Sequence, residues 1–148
     1  MYRVSFALFL LLAPTAQADP VAPSEIEVVD GGTIRVHGNV MHIVGIDTPK
    51  LGQSAHCGLE RMLAARAVSR LRQIIRSGSE IAVEKVGCSC RPGSRGATTC
   101  NDQQDCGVLT VDGADVGDIL VAENLAHPHA CGSDECPRPK PWCPFETE

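Results

Sequence analysis

The chain has 148 residues, with 13 basic against 18 acidic side chains and a formal net charge of −5. Nucleic-acid binding rests on neutralising phosphates, so a domain this acidic starts at a disadvantage for that role. The length fits one domain, and with five Phe, Tyr and Trp residues in all the core must be aliphatic.

Residues 1–18 read as a secretory signal. Arg3 supplies the positive start, residues 4–13 are a short apolar run, and Ala16-Gln17-Ala18 places small side chains where a signal peptidase cuts. The run is about half of the ~20 residues that a membrane span needs. Cleavage before Asp19 would leave 12 basic and 18 acidic residues, a net charge of 12 − 18 = −6. The expected product is exported to the periplasm or the medium, a monomer with no membrane span. Residues 19–25 hold Pro20 and Pro23 and are expected to form a mobile N-terminal segment.

Extended structure is predicted over 26–29, broken by Asp30-Gly31-Gly32, and again over 33–36. His37-Gly38-Asn39 offers a hairpin turn into a third strand over 40–46. Three strands joined by tight turns make an antiparallel meander, which closes well into a small barrel. Over 58–77 the period changes. Leu59, Leu63, Ala67, Leu71 and Ile75 recur at intervals of four, with Met62 and Ile74 alongside, which predicts a helix ending at Gly78. Arg61, Arg66, Arg70, Arg72 and Arg76 fit a solvated face of that helix. Alternation over 80–86 predicts a fourth strand and 108–111 a fifth, turned by Asp112-Gly113. Asp115 can then cap a short second helix. Val116, Ile119, Leu120 and Leu125 would be the buried side of that helix.

Eight cysteines, Cys57, Cys88, Cys90, Cys100, Cys106, Cys131, Cys136 and Cys143, follow the export signal. An even count in that context implies a disulfide framework, whose connectivity the sequence does not choose among 105 possibilities for eight thiols. Four of the eight lie in an irregular insertion, 87–107, and three in a proline-rich tail, 127–148, whose main attachment would be covalent. A zinc site from His127, His129, Cys131 and Cys136 is the rival reading, but the spacing lacks the paired C-x2-C rhythm of structural zinc sites.

The order strand-strand-strand-helix-strand-strand-helix describes a mainly β domain with two helices, a five-stranded Greek-key barrel of the OB type over residues 26–126. Three stretches within it resemble the thermonuclease, or staphylococcal nuclease-like, family. Val28-Val29-Asp30-Gly31-Gly32-Thr33 resembles the family's V-x-D-G-D-T turn. Gly45-Ile46-Asp47-Thr48-Pro49-Lys50 resembles its D-T/A-P-E segment, and Val111 to Gly117 followed by Leu120 to Ala126 resembles its last hairpin and helix.

In active members, the resemblance implies, carboxylates of the first two motifs hold one Ca²⁺, a glutamate acts on the attacking water and two arginines grip the phosphate. Carried over residue by residue, that set is depleted. One metal-binding aspartate falls on Gly32, while the other falls on Asp47, which is kept beside Thr48. The two arginines fall on His42 and near Gln104, and the glutamate falls on Lys50. Asp47 and Thr48 are thus remnants of a calcium site, and Asp47 with Lys50 resembles an ion pair. Asp30 is expected to shape its turn through its side-chain acceptor. The expectation is an exported, catalytically degenerate domain that needs no cofactor and binds an extracytoplasmic protein or glycan. The alternative is a Ca²⁺-dependent nuclease, with nucleic acid as its substrate, working through replacement residues such as His42, Arg91 and Arg95. A third reading makes the cysteine-rich loop and tail the working surface, with Trp142, the sole tryptophan, in the tail.

Overall fold

The computed structural model of the protein describes residues 18–88, 104–132 and 136–144. Residues 1–17 of the proposed signal peptide, Cys90, Cys100, Arg91 and Arg95 lie outside the described residues.

The fold is mainly β with two α-helices and a strongly curled, barrel-like sheet. Its strands are β1 (Asp19–Pro20), β2 (Ile26–Val28), β3 (Thr33–Val36), β4 (Asn39–Ile43), β6 (Ile81–Val86), β7 (Asp105–Val111) and β8 (Ala114–Asp115). The sheet runs in the order β1-β6-β7-β4-β3-β2, with β8 on β7. The meander β2-β3-β4 is antiparallel throughout, whereas β4 and β7 run parallel, with His42 opposite Cys106. A second, two-stranded sheet pairs β5 (Ile46–Asp47) with β9 (His127–Pro128).

Local chemistry fixes the turns. His37 and Gly38 both take positive φ, 49° and 84°, as do Asp112 and Gly113, at 51° and 79°. Two successive left-handed residues give a hairpin turn whose twist matches the flanking strands. The third strand ends at Ile43, short of the expected 46, because Gly45 at φ 82° breaks it. The fifth strand starts earlier than the expected 108, at Asp105, because its first residues pair with β4 and β6.

Helix α1 spans Gly58–Ser77. Its buried side is Glu60, Ala64, Ala67, Val68, Leu71, Ile74 and Ile75, a stripe of 3.6 periodicity. This corrects the expected stripe at its start. Leu59 and Met62 are 41% and 51% exposed, and a glutamate takes the inward position. Gly78 follows the helix, but in extended backbone (φ −72°, ψ 142°). A glycine is needed there for space, since a Cβ would overlap the Val111 side chain. Helix α2, Val116–Ala122, is capped by Asp115, whose carboxylate accepts from the N–H groups of Gly117 and Asp118. Ile34, Ile43, Leu71, Leu109, Val116 and Leu120 form the centre of one aliphatic core between the sheet and the helices.

The N-terminal segment makes contacts that the sequence did not announce. Residues 19–20 pair with β6, Val21 is buried, and the Val21 N–H donates to the Ile81 carbonyl at 2.9 Å. Burying one valine and pairing one sheet edge holds that segment against the sheet. Among the described residues no helix is long and apolar enough to cross a membrane.

Candidate functional site

The end of the meander and the loop after β5 enclose an open cleft of ≈ 490 Å³, lined among others by Asp30, His42, Asp47, Thr48, Lys50 and Gln104. Residues up to 75 positions apart in sequence, Val29 and Gln104, converge there because β7 runs parallel to β4, which places Gln104, just before β7, next to the meander. Gly32 adjoins the same place. A Cβ built on it would lie 3.1 Å from Thr48 Oγ1 and 3.6 Å from His42 Cε1. The sequence-derived positions therefore share one site.

The turn that carries Gly32 is shaped as its residues dictate. Asp30 Oδ1 accepts from the Gly32 N–H at 2.8 Å, closing a side-chain turn. Gly31 has no room for a side chain, since its Cβ would meet Ala67 Cβ of α1 at 2.8 Å. The first turn is thus pressed against the helix, and Gly32 faces the cleft without any ligand of its own.

Asp47, a carboxylate of the cleft, is largely buried, with its side chain 14% exposed. Lys50 Nζ lies 3.7 Å from Oδ1, and the Trp142 indole N–H donates to Oδ2 at 3.3 Å. Both oxygens are engaged, one by an ammonium three residues along the chain and the other by a side chain from the tail. His42 is held below the usual histidine range, chiefly by burial. Lys50 adds to that effect, while Asp30 and Asp47 oppose it. Its imidazole is accordingly neutral at pH 7 and carries no standing charge with which to grip a phosphate.

The tail reaches the cleft by three ties, one of them the Trp142–Asp47 hydrogen bond. β9 pairs with β5, placing His127 opposite Asp47. Within the tail, the His127 and Trp142 rings stack with centroids 3.8 Å apart and planes within 2°. Cys143 is bridged to Cys57, across a sequence separation of 86. Two of these ties are non-covalent, so the tail is held by more than the bridges that the sequence suggests. Nothing in the spacing of Cys57 and Cys143 announces their pairing, although the lone tryptophan beside Cys143 is the one signal that singles out this part of the tail.

Cys57 also caps α1. Its sulfur accepts from the Glu60 N–H at 3.5 Å. The Glu60 carboxylate, 2% exposed, accepts from the backbone N–H groups of Lys50 at 3.0 Å and His56 at 2.7 Å. Burial raises its pKa, but these two hydrogen bonds, with the charges of His56 and Lys50, outweigh burial and leave it below the usual glutamate range. Glu60 thus pins the loop that carries Lys50 onto the helix. Sequence reasoning missed it, though stepping back four residues from Ala64 along the buried stripe lands on it.

The other cysteines bridge Cys88 to Cys106 and Cys131 to Cys136, and no described cysteine is free. The Cys131–Cys136 bond takes both thiols from the rival zinc reading. Among the described residues no group of three or more His, Cys, Asp and Glu side chains could hold a metal ion.

A Ca²⁺ ion seeks six to eight oxygens. The cleft offers Asp47, with both oxygens already engaged, Thr48, and an Asp30 whose carboxylate is committed to its turn. That set does not fit the ion. Compared with known proteins, the chain matches no family and no curated protein.

Proposed function

We propose that this chain is an exported member of the thermonuclease-like group with an OB-type barrel, in which the ancestral catalytic cleft has lost its chemistry and the domain works as a binding module. The observation that carries the reading is the state of Asp47. A carboxylate paired with Lys50 and bonded to Trp142 contributes to packing the tail, where catalysis would need it open to a cation. The barrel-like sheet, the meander with its parallel β4–β7 neighbour, and the convergence of Gly32, His42, Asp47, Lys50 and Gln104 on one cleft support the family and fold reading. Three disulfides are compatible with an oxidising compartment outside the cytoplasm. The partner we favour is an extracytoplasmic protein or glycan, since the net charge of −5 opposes polyanions.

The alternative reading, a calcium-dependent nuclease with replacement groups, draws support from one feature: His42 is neutral, lines the cleft and could take a proton from water. One assay separates the two. Incubated with single- and double-stranded DNA, with Ca²⁺ or with chelator, the oxidised protein should cut neither. Metal-dependent cleavage that follows the protein through purification and is lost in Asp47→Ala would overturn the degenerate reading. Restoring Gly32→Asp, His42→Arg, Lys50→Glu and Gln104→Arg together should bring back measurable cleavage if the family assignment is right.

A further inference from the structure

We propose that the Cys57–Cys143 bridge is a thiol–disulfide exchange site, at which an extracytoplasmic dithiol reductant attacks Cys143, releases Cys57, and so unlatches the Trp142 tail from Asp47. The proposal rests on the contacts of the bridge and the tail, takes only the extracytoplasmic setting from the proposed function, and stands whether or not the family reading holds.

Four observations converge on this bridge. Both of its cysteines are half-buried, so a reductant can approach, whereas in the Cys88–Cys106 bridge Cys106 is 3% exposed. Cys57 sits at the N-cap of the 20-residue α1, and its sulfur already accepts the Glu60 N–H. A sulfur leaving as thiolate at that point meets the positive end of the helix and an N–H donor. Cys143 Sγ instead lies 4.0 Å from Glu60 Oε2, a carboxylate held ionised by two backbone donors, so negative charge on that sulfur is opposed. The two sulfurs are therefore unequal, with Cys57 the better leaving group and Cys143 the sulfur to be attacked. Finally, the bridge closes a separation of 86 residues, and Trp142 beside it is seated by a ring stack and a 3.3 Å hydrogen bond among the described residues.

The electron count is that of a two-electron exchange. The attacking thiolate forms a bond to Cys143 Sγ as the Cys57–Cys143 bond breaks, and the electron pair departs on Cys57. The second thiolate of the reductant then attacks the reductant's own sulfur in the mixed disulfide and expels Cys143 as a thiolate, which takes up a proton. The reductant ends as its intramolecular disulfide. The protein gains two electrons, and the two protons given up by the dithiol are taken by the released sulfurs and water. Reoxidation by the reverse route relatches the tail and closes the contact on Asp47.

The test uses the oxidised full chain, in which Trp142 is the only tryptophan and its fluorescence reports the tail directly. A monothiol, glutathione, is added under native conditions, the free thiols are alkylated, and the peptides are mapped by mass spectrometry. The expected result is glutathione on Cys143 and alkylation on Cys57, in excess over the reverse by about tenfold or more. With dithiothreitol, Cys57 and Cys143 should open before Cys88 and Cys106, with a red shift of Trp142 emission that reverses on reoxidation. Glutathione on Cys57, or opening of this bridge only together with Cys88–Cys106, would overturn the exchange site. Emission unchanged after the bridge has opened would overturn the unlatching. A Cys143→Ser variant gives an independent reading: its emission should match the reduced wild type, and emission like the oxidised protein would count against the latch.

Discussion

Two regions of this molecule are held by different forces. Under α1 the sheet closes on aliphatic side chains that need no partner beyond one another, with Ile34, Leu71 and Leu120 at 0% exposure. At the cleft, by contrast, the contacts are specific, among them Asp47 with Lys50 and Trp142, Glu60 with two backbone N–H groups, a ring stack and a bridge. The core is redundant and carries the fold. At the cleft the described contacts are polar and directional. That contrast predicts that substitutions at His42 or Lys50, which line the cleft, leave the aliphatic core in place.

The contrast is broken most forcefully in the core. Leu71→Ala should cost about 2–5 kcal/mol in urea denaturation, because the cavity it leaves is enclosed on all sides. Glu60→Ala should cost about 2–3 kcal/mol, since two backbone donors lose their shared acceptor, and Glu60→Gln, which keeps one acceptor oxygen, should cost less. A loss for Glu60→Ala as small as that of an exposed residue would show that the loop carrying Lys50 does not depend on it.

Acid should loosen the protein in two steps. His42 has a folded pKa below its unfolded value, so the folded state binds fewer protons, and its contribution to stability is full above about pH 6.5 and erodes as pH falls from there. The Glu60 carboxyl is also lowered, so its contribution is full above the ordinary glutamate value near about 4.3 and is lost as pH falls through its lowered folded pKa. Chemical denaturation across pH should show the upper step flattened in His42→Gln and the lower step flattened in Glu60→Gln. The smallest effect is expected at the surface. Arg70 grips Glu123 bidentately between the two helices, but both side chains are about one-third exposed, so Arg70→Ala should cost about 1 kcal/mol or less.

Much of the barrel was legible in the sequence because its signals are local. The 3.6 period set the span of α1, and His37-Gly38 and Asp112-Gly113 set their turns through positive φ. The Asp30 turn and the Asp115 cap follow from short polar side chains beside free N–H groups. The start of the buried helix stripe was misplaced, since leucine and methionine outrank glutamate on any hydrophobicity scale. Only the loop donors from Lys50 and His56 make an inward Glu60 favourable. The gathering of Gly32, His42, Asp47, Lys50 and Gln104 followed from motif resemblance. The tail was illegible for a different reason. Trp142 reaches Asp47 across 95 residues, and Cys57 reaches Cys143 across 86, so no local pattern encodes either. A two-residue strand such as β1 carries too little sequence to announce itself, and its pairing depends on the edge that β6 happens to leave open.

The central claim is that Asp47 is committed to Lys50 and Trp142 and does not organise a calcium ion. The single indole N–H of Trp142 gives one resolved proton resonance, which reports that contact directly. Titrating the oxidised protein with Ca²⁺ should leave the resonance where it is, whereas Asp47→Asn should move it. A saturable, calcium-dependent shift that disappears in Asp47→Ala would mean that the carboxylate lets go of the indole to take the ion, and would contradict the account.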